Sequence, residues 1–279
     1  MGPTMRTFRV VTVACALGVA ASAPGCRLVQ RRGPVPPEVA DTRRLCNEGL
    51  AAADRDDLVR AESLLERAVK NCPVDVEARR HYADVLWRRG ERMEAVRQAA
   101  EALRLSPHDA GLCVDAGRMY MELGLFDEAD RLSRTATRLA PRSAAAWRLM
   151  GDLALARGQA DTALESFHRA LAIAPTDRDV LLATADAYRR IDKPKRTLAT
   201  LAVLDETYGP GQTPGAVYLL EGLAQESLGR TADAIESYRQ AAAAVDPSAD
   251  AAVRLAALET AAAAGAAIAT RPDEGAATR

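Results

Sequence analysis

Between Trp147 and Pro175 the chain reads WRLMGDLALARGQADTALESFHRALAIAP, with large apolar, small and polar residues in the order helix, short break, helix, stop. The same order recurs along the chain. Pro73, Pro107, Pro141 and Pro175 stand 34 residues apart, and a period of that length decides the fold before any single motif does. With proline at position 32 of a 34-residue unit, position 8 is Gly49, Ala83, Gly117, Gly151 and Ala185. Position 20 is Ala61, Ala95, Ala129 and Ala163, and position 27 is Ala68, Ala102, Ala136 and Ala170. A sixth unit keeps Gly222, Ala234 and Ala241 after a three-residue insertion. Each unit is predicted to be two antiparallel helices. The small positions let the helices approach closely, and large side chains such as Tyr120, Phe126, Trp147 and Phe167 fill the remaining space. Proline ends the second helix because it lacks an N–H and clashes with the preceding turn. Gly90, Gly124, Gly158 and Gly229 mark the break between helices, where glycine serves as a C-cap.

The units fall at 42–75, 76–109, 110–143, 144–177, 178–211 and 215–248. The fifth departs from the pattern. Thr197 and Leu204 replace alanine at positions 20 and 27, and Pro194 sits near the start of the second helix, where proline is tolerated. YGPGQTPG, from Tyr208 to Gly215, then replaces the tight turn. A looser helix pair and a longer connection are expected there. Residues 249–264 read as a capping helix, because the end unit of a solenoid must cover its last core face; Leu255 and Leu258 would supply the contacts. Residues 265–279 have no amphipathic pattern and are expected to be disordered. The expected architecture is an all-α solenoid of about six units plus a C-terminal capping helix, at least thirteen helices with no sheet.

Trp147, Gly151, Ala163, Phe167, Ala170 and Pro175 occupy six signature positions of the tetratricopeptide repeat, and the chain resembles that family over about three quarters of its length. The resemblance implies a right-handed superhelix of helical hairpins whose concave face binds a polypeptide. It also implies that positions 2, 5, 9, 12 and 13 of the first helices face inward; here they include Arg80, Asp84, Trp87 and Arg88, then Arg118, Met121 and Glu122. Arg148, Asp152 and Leu155 follow, and then Asp179, Leu182, Asp186, Arg189 and Arg190. Members that clamp peptide C-termini use Lys, Arg and Asn; no Asn stands among these positions, so that activity is not carried over. Arg80 and Asp84, and Arg148 and Asp152, stand four apart and are expected to pair within their helices. Trp87 and the unpaired arginines are the expected partner contacts, since Trp and Arg are enriched at interface hot spots.

Composition agrees with a helical reading. Nearly half of the 279 residues are apolar, few are aromatic and many are alanine, the best helix former. The net charge is −1 with no basic stripe, which argues against a nucleic-acid partner. The N-terminus differs from the rest. Arg6 and Arg9 precede the apolar run VVTVACALGVAASA, Val10 to Ala23, in the order of a signal peptide, and the run is shorter than the ~17 residues of a spanning helix. Two cleavage sites are open. One follows Ala23, with the unfavourable Pro24 next. The other precedes Cys26, where APGC resembles a bacterial lipobox whose cysteine is lipidated, with Ala23 and Pro24 departing from its usual residues. Arg27 after the cysteine is not the Asp of inner-membrane retention, so the expected location is the periplasmic side of the envelope, lipid-anchored to the outer membrane. Residues 1–25 are thus read as signal peptide and 26–41, with RRGPVPPE, as a proline-rich tether.

No catalytic pattern emerges. His81, His108 and His168 are scattered and are read as structural or solvated; no metal or cofactor is expected. GPGQTPG follows no strand, so it is not a nucleotide fingerprint. Cys46 and Cys72 stand at helix ends that meet in one hairpin, leaving open a disulfide or two partly buried thiols. The expected function is a non-catalytic envelope scaffold that binds a protein or peptide, of the kind that assists pilus or secretion machines. The alternative is a regulatory subunit of an envelope enzyme.

Overall fold

The computed structural model describes residues 37–209, 211–244 and 246–269; the signal segment, Cys26, most of the tether and residues 270–279 lie outside them. The described residues form thirteen α-helices and no strand. The first three pairs are α1 (Pro37–Ala53) with α2 (Leu58–Asn71), α3 (Val76–Arg88) with α4 (Arg92–Leu105), and α5 (Ala110–Glu122) with α6 (Phe126–Leu139). The next three are α7 (Ala144–Ala156) with α8 (Ala160–Ile173), α9 (Arg178–Arg190) with α10 (Pro194–Asp205), and α11 (Gly215–Ser227) with α12 (Thr231–Ala243). Helix α13 (Ala249–Ala269) packs on α12.

The small positions are explained by what lies over them. A methyl group on Gly151 would fall 2.5 Å from Phe167 Cδ1, and one on Gly222 2.6 Å from Tyr238 Cδ1. Phe167 and Tyr238 are fully buried, so position 8 must be glycine wherever an aromatic ring stands 16 residues later. The alanines at positions 20 and 27 of units one to four are likewise fully buried.

The helix termini carry the same period. Asp75, Asp109, Ser143 and Asp177 cap α3, α5, α7 and α9, each side chain accepting from the backbone N–H three residues on. The break between paired helices takes a left-handed residue in all six units. Gly90, Gly124, Gly158 and Gly229 supply four (φ 71 to 89°), while Asp56 and Asp192 adopt it at φ 61° and 53°.

Helix α1 begins at Pro37, inside the segment read as tether; proline is well suited to a first helical residue. Helix α13 likewise continues to Ala269, past residue 264. The fifth unit is filled rather than loose. Thr197 and Leu204 are fully buried, and Leu204 packs with Leu181, Ala185, Leu201 and Val217. Its long connection is held by side chains. Arg178 donates to the hydroxyl and carbonyl of Thr207 and covers the Tyr208 ring at 4.3 Å, and the Thr213 hydroxyl donates to Asp205 at 2.5 Å. At the far end, Leu255 and Leu258 pack against Tyr238 and Ala241. Arg254 pairs with Glu226 at 3.0 Å, tying α13 to α11.

Candidate functional site

First helices of neighbouring units pack on one another: α1 on α3, α5 on α7, α7 on α9 and α9 on α11. Helices α3 and α5 share one core cluster, and a cleft of about 450 Å³ is lined by both. Arg80, His81, Asp84 and Trp87 line it from α3, and Asp115, Arg118, Met119 and Glu122 from α5. Five of the expected groove residues therefore converge here: Arg80, Asp84, Trp87, Arg118 and Glu122. Trp87 is half-buried. It rests on the core that Tyr82 and Leu86 belong to, with the Arg92 guanidinium 5.1 Å above its ring. Trp87, an expected partner contact, therefore both packs on the core and lines the cleft.

The ion pairing differs from the within-helix expectation. Arg80 does not pair with Asp84. Its Nε donates to Asp115 at 2.8 Å, bridging α3 to α5. Arg148 does pair with Asp152 at 3.4 Å, and also reaches Asp179 of the next unit at 2.5 Å. A long guanidinium stem on a helix facing its neighbour finds carboxylates across the unit boundary as readily as along its own helix. Burial holds the Asp152 carboxyl above the usual range, and Arg148 and Arg118 pull against that shift.

Arg88 and Arg190 lie outside the cleft. Both stand at position 13, and each donates to a carbonyl at the end of the preceding first helix: Arg88 to Ala53 O at 3.1 Å, Arg190 to Leu155 O at 3.2 Å. These arginines add a second donor to carbonyls that already accept from the following turn, Ala53 O from Asp56 N and Leu155 O from Gly158 N, and so staple consecutive units. Arg190 and Arg189 also share Asp186, and Met121 is half-buried away from the cleft lining. His81, Asp115 and Met119 were not among the expected site residues. Asp115 sits one position past an inward-facing site, and only the reach of Arg80 brings it in. Cys46 and Cys72 are free thiols rather than a bridge. Cys46 packs into the α1–α2 core, while Cys72 caps α2 with its N–H on Ala68 O. Among the described residues, no group of three His, Cys, Asp or Glu could hold a metal ion, and no helix is long and apolar enough to cross a membrane.

A tetratricopeptide repeat profile matches residues 46–110 and 114–178, and a second tetratricopeptide profile matches 216–244. Together they span more than half of the chain, and the protein belongs to the tetratricopeptide repeat family. The stretch they leave out contains the fifth unit, where Thr197 and Leu204 break the pattern. Family members bind protein or peptide partners. No curated protein matches the chain. Among solved structures, PilF of Pseudomonas aeruginosa is similar at 18% identity, covering 74% of this chain and 92% of its own, with a TM-score of 0.64. PilW, described as a widely conserved type IV pilus biogenesis factor, is similar at 18% identity, 72% and 92% coverage, and a TM-score of 0.67. YrrB, described as having an unusual peptide-binding site, gives 18%, 68%, 96% and 0.51. At these identities the likeness is one of fold, the superhelical solenoid.

Proposed function

We propose that this protein is a non-catalytic interaction scaffold of the bacterial cell envelope, holding a polypeptide partner in the α3–α5 cleft. The carrying observation is charge accounting along the first helices. Arg80, Arg88, Arg148, Arg189 and Arg190 each have a carboxylate partner, whereas Asp84, Arg118 and Glu122 make no hydrogen bond or ion pair among the described residues. These three line the same cleft as Trp87, while Arg43 of α1 and Glu221 of α11, likewise without a hydrogen bond or ion pair, stand outside it. An aromatic wall with free polar groups around it is what an extended segment needs for anchoring and register. The N-terminal order of basic, apolar and small residues before Cys26 supports export and a lipid anchor on the outer membrane. The fold likeness to PilF and PilW supports a part in assembling a pilus or secretion machine.

The test is affinity capture from detergent-solubilised envelopes with the native chain beside Trp87→Leu/Arg118→Ala, leucine being chosen to keep the core contact. A partner recovered by the native chain and lost from the variant, at equal thermal stability, supports the cleft. Equal recovery by both removes it. Replacing Cys26 by Ser should release the protein from membranes with its fold intact, since stable anchoring needs the lipid chains. Unchanged fractionation would refute the anchor.

A further inference from the structure

The three unengaged charges of the cleft are not equivalent. Arg80 and Asp115 cancel one another at 2.8 Å. Arg118 is exposed, with the half-buried Asp152 carboxyl of α7 within its electrostatic reach. The cleft lining carries three carboxylates, Asp84, Asp115 and Glu122, against two guanidiniums, Arg80 and Arg118, so it stays acidic by one charge; Asp84 and Glu122 are exposed, one on each wall, with Trp87 beside them. The indole already attracts one guanidinium, that of Arg92 at 5.1 Å, as a π system does. Carboxylates and ring therefore favour the same charge. We infer that the α3–α5 cleft receives a cationic side chain, lysine or arginine, from the partner segment, seated beside Trp87 between Asp84 and Glu122. This rests on reading the cleft as the partner site.

Trp87 and Trp147 are the only indoles of the chain, so the full-length protein with Trp147→Phe makes Trp87 emission a reporter of the cleft. The probes are three capped peptides of one apolar frame that carry lysine, glutamine or glutamate at the central position. The lysine peptide should shift Trp87 emission and bind at least tenfold more tightly than the glutamine peptide, with glutamate weakest. Asp84→Asn with Glu122→Gln should abolish that preference while the thermal melt stays unchanged. A preference for glutamate that disappears in Arg118→Ala would keep the cleft as the partner site and overturn the cationic ligand. So would a lysine preference that survives the double carboxamide variant. If none of the three peptides moves Trp87 emission, the cleft is not a partner site and both readings fall.

Discussion

Gly151 and Phe167 offer a direct test of why the small positions are small. Replacing Gly151 by Ala puts a methyl group 2.5 Å from Phe167 Cδ1 and 2.9 Å from Cζ, in a core where the ring has no exposed surface and nowhere to swing. Forcing a methyl group into a packed core costs about 1–3 kcal/mol. Exchanging glycine for alanine inside a helix returns about 1 kcal/mol of propensity. The single variant should thus be destabilised by up to about 2 kcal/mol. The fifth unit shows how the clash is avoided, for there Ala185 faces Leu201 at the equivalent positions and both are buried. In a Phe167→Leu background, Gly151→Ala should therefore turn neutral or stabilising by up to about 1 kcal/mol. The coupling in the double-mutant cycle is then about 1–3 kcal/mol, read from urea unfolding by far-UV circular dichroism. Additive single effects, within about 0.5 kcal/mol, would refute the claim that the ring dictates the glycine.

Three further outcomes are expected. Burial raises the Asp152 pKa above its ordinary 3.8, so its contribution favours folding below that value and is lost as pH rises through the native one. Asp152→Asn should gain stability relative to the native chain at pH 7 and lose that advantage below about pH 4, by unfolding titrations at both pH values. The Cys46 thiol is pushed up to about 11 by burial, with Asp75 and Glu77 adding to it, so in a chain retaining only that cysteine iodoacetamide alkylation should rise with a midpoint near pH 11 rather than 9.0. Asp192 holds a left-handed conformation that glycine fills in four other units; Asp192→Gly should stabilise by about 0.5–1 kcal/mol and Asp192→Ala should destabilise, both by thermal melting.

Much of the fold was legible because its information is local and repeated. Proline at position 32 and alanine at positions 20 and 27 act within one hairpin, so the 34-residue period exposes them without any knowledge of neighbours. The N-caps Asp75, Asp109, Ser143 and Asp177 carry the same period and were open to the same reasoning. Asp56 and Asp192 escaped it because a short polar residue that tolerates positive φ looks like an ordinary loop residue beside Gly90 or Gly158. The cleft was harder to read. Trp87 and Arg118 could be placed on an inner face by helical spacing. Whether Arg80 meets Asp84 or Asp115 depends on the distance between α3 and α5, which no spacing within a helix encodes.

That distance also separates the arginines into two kinds. At position 13, Arg88 and Arg190 reach back to a carbonyl of the preceding unit, 35 residues earlier, at the end of a first helix. Such an arginine contributes to stacking of units and is spent on it. At position 5, Arg80 and Arg148 reach forward to a carboxylate of the following unit. Arg118 stands at position 9, on a helix whose own position 5 is Val114, so no arginine of α5 competes for the carboxylates around it. It remains without a hydrogen bond while its chemical equivalents on α3, α7 and α9 are paired. In a solenoid whose stability is a sum of unit and interface terms, charges engaged between units maintain the stack. Asp84, Arg118 and Glu122, lining the α3–α5 cleft without such an engagement, stay available to a partner.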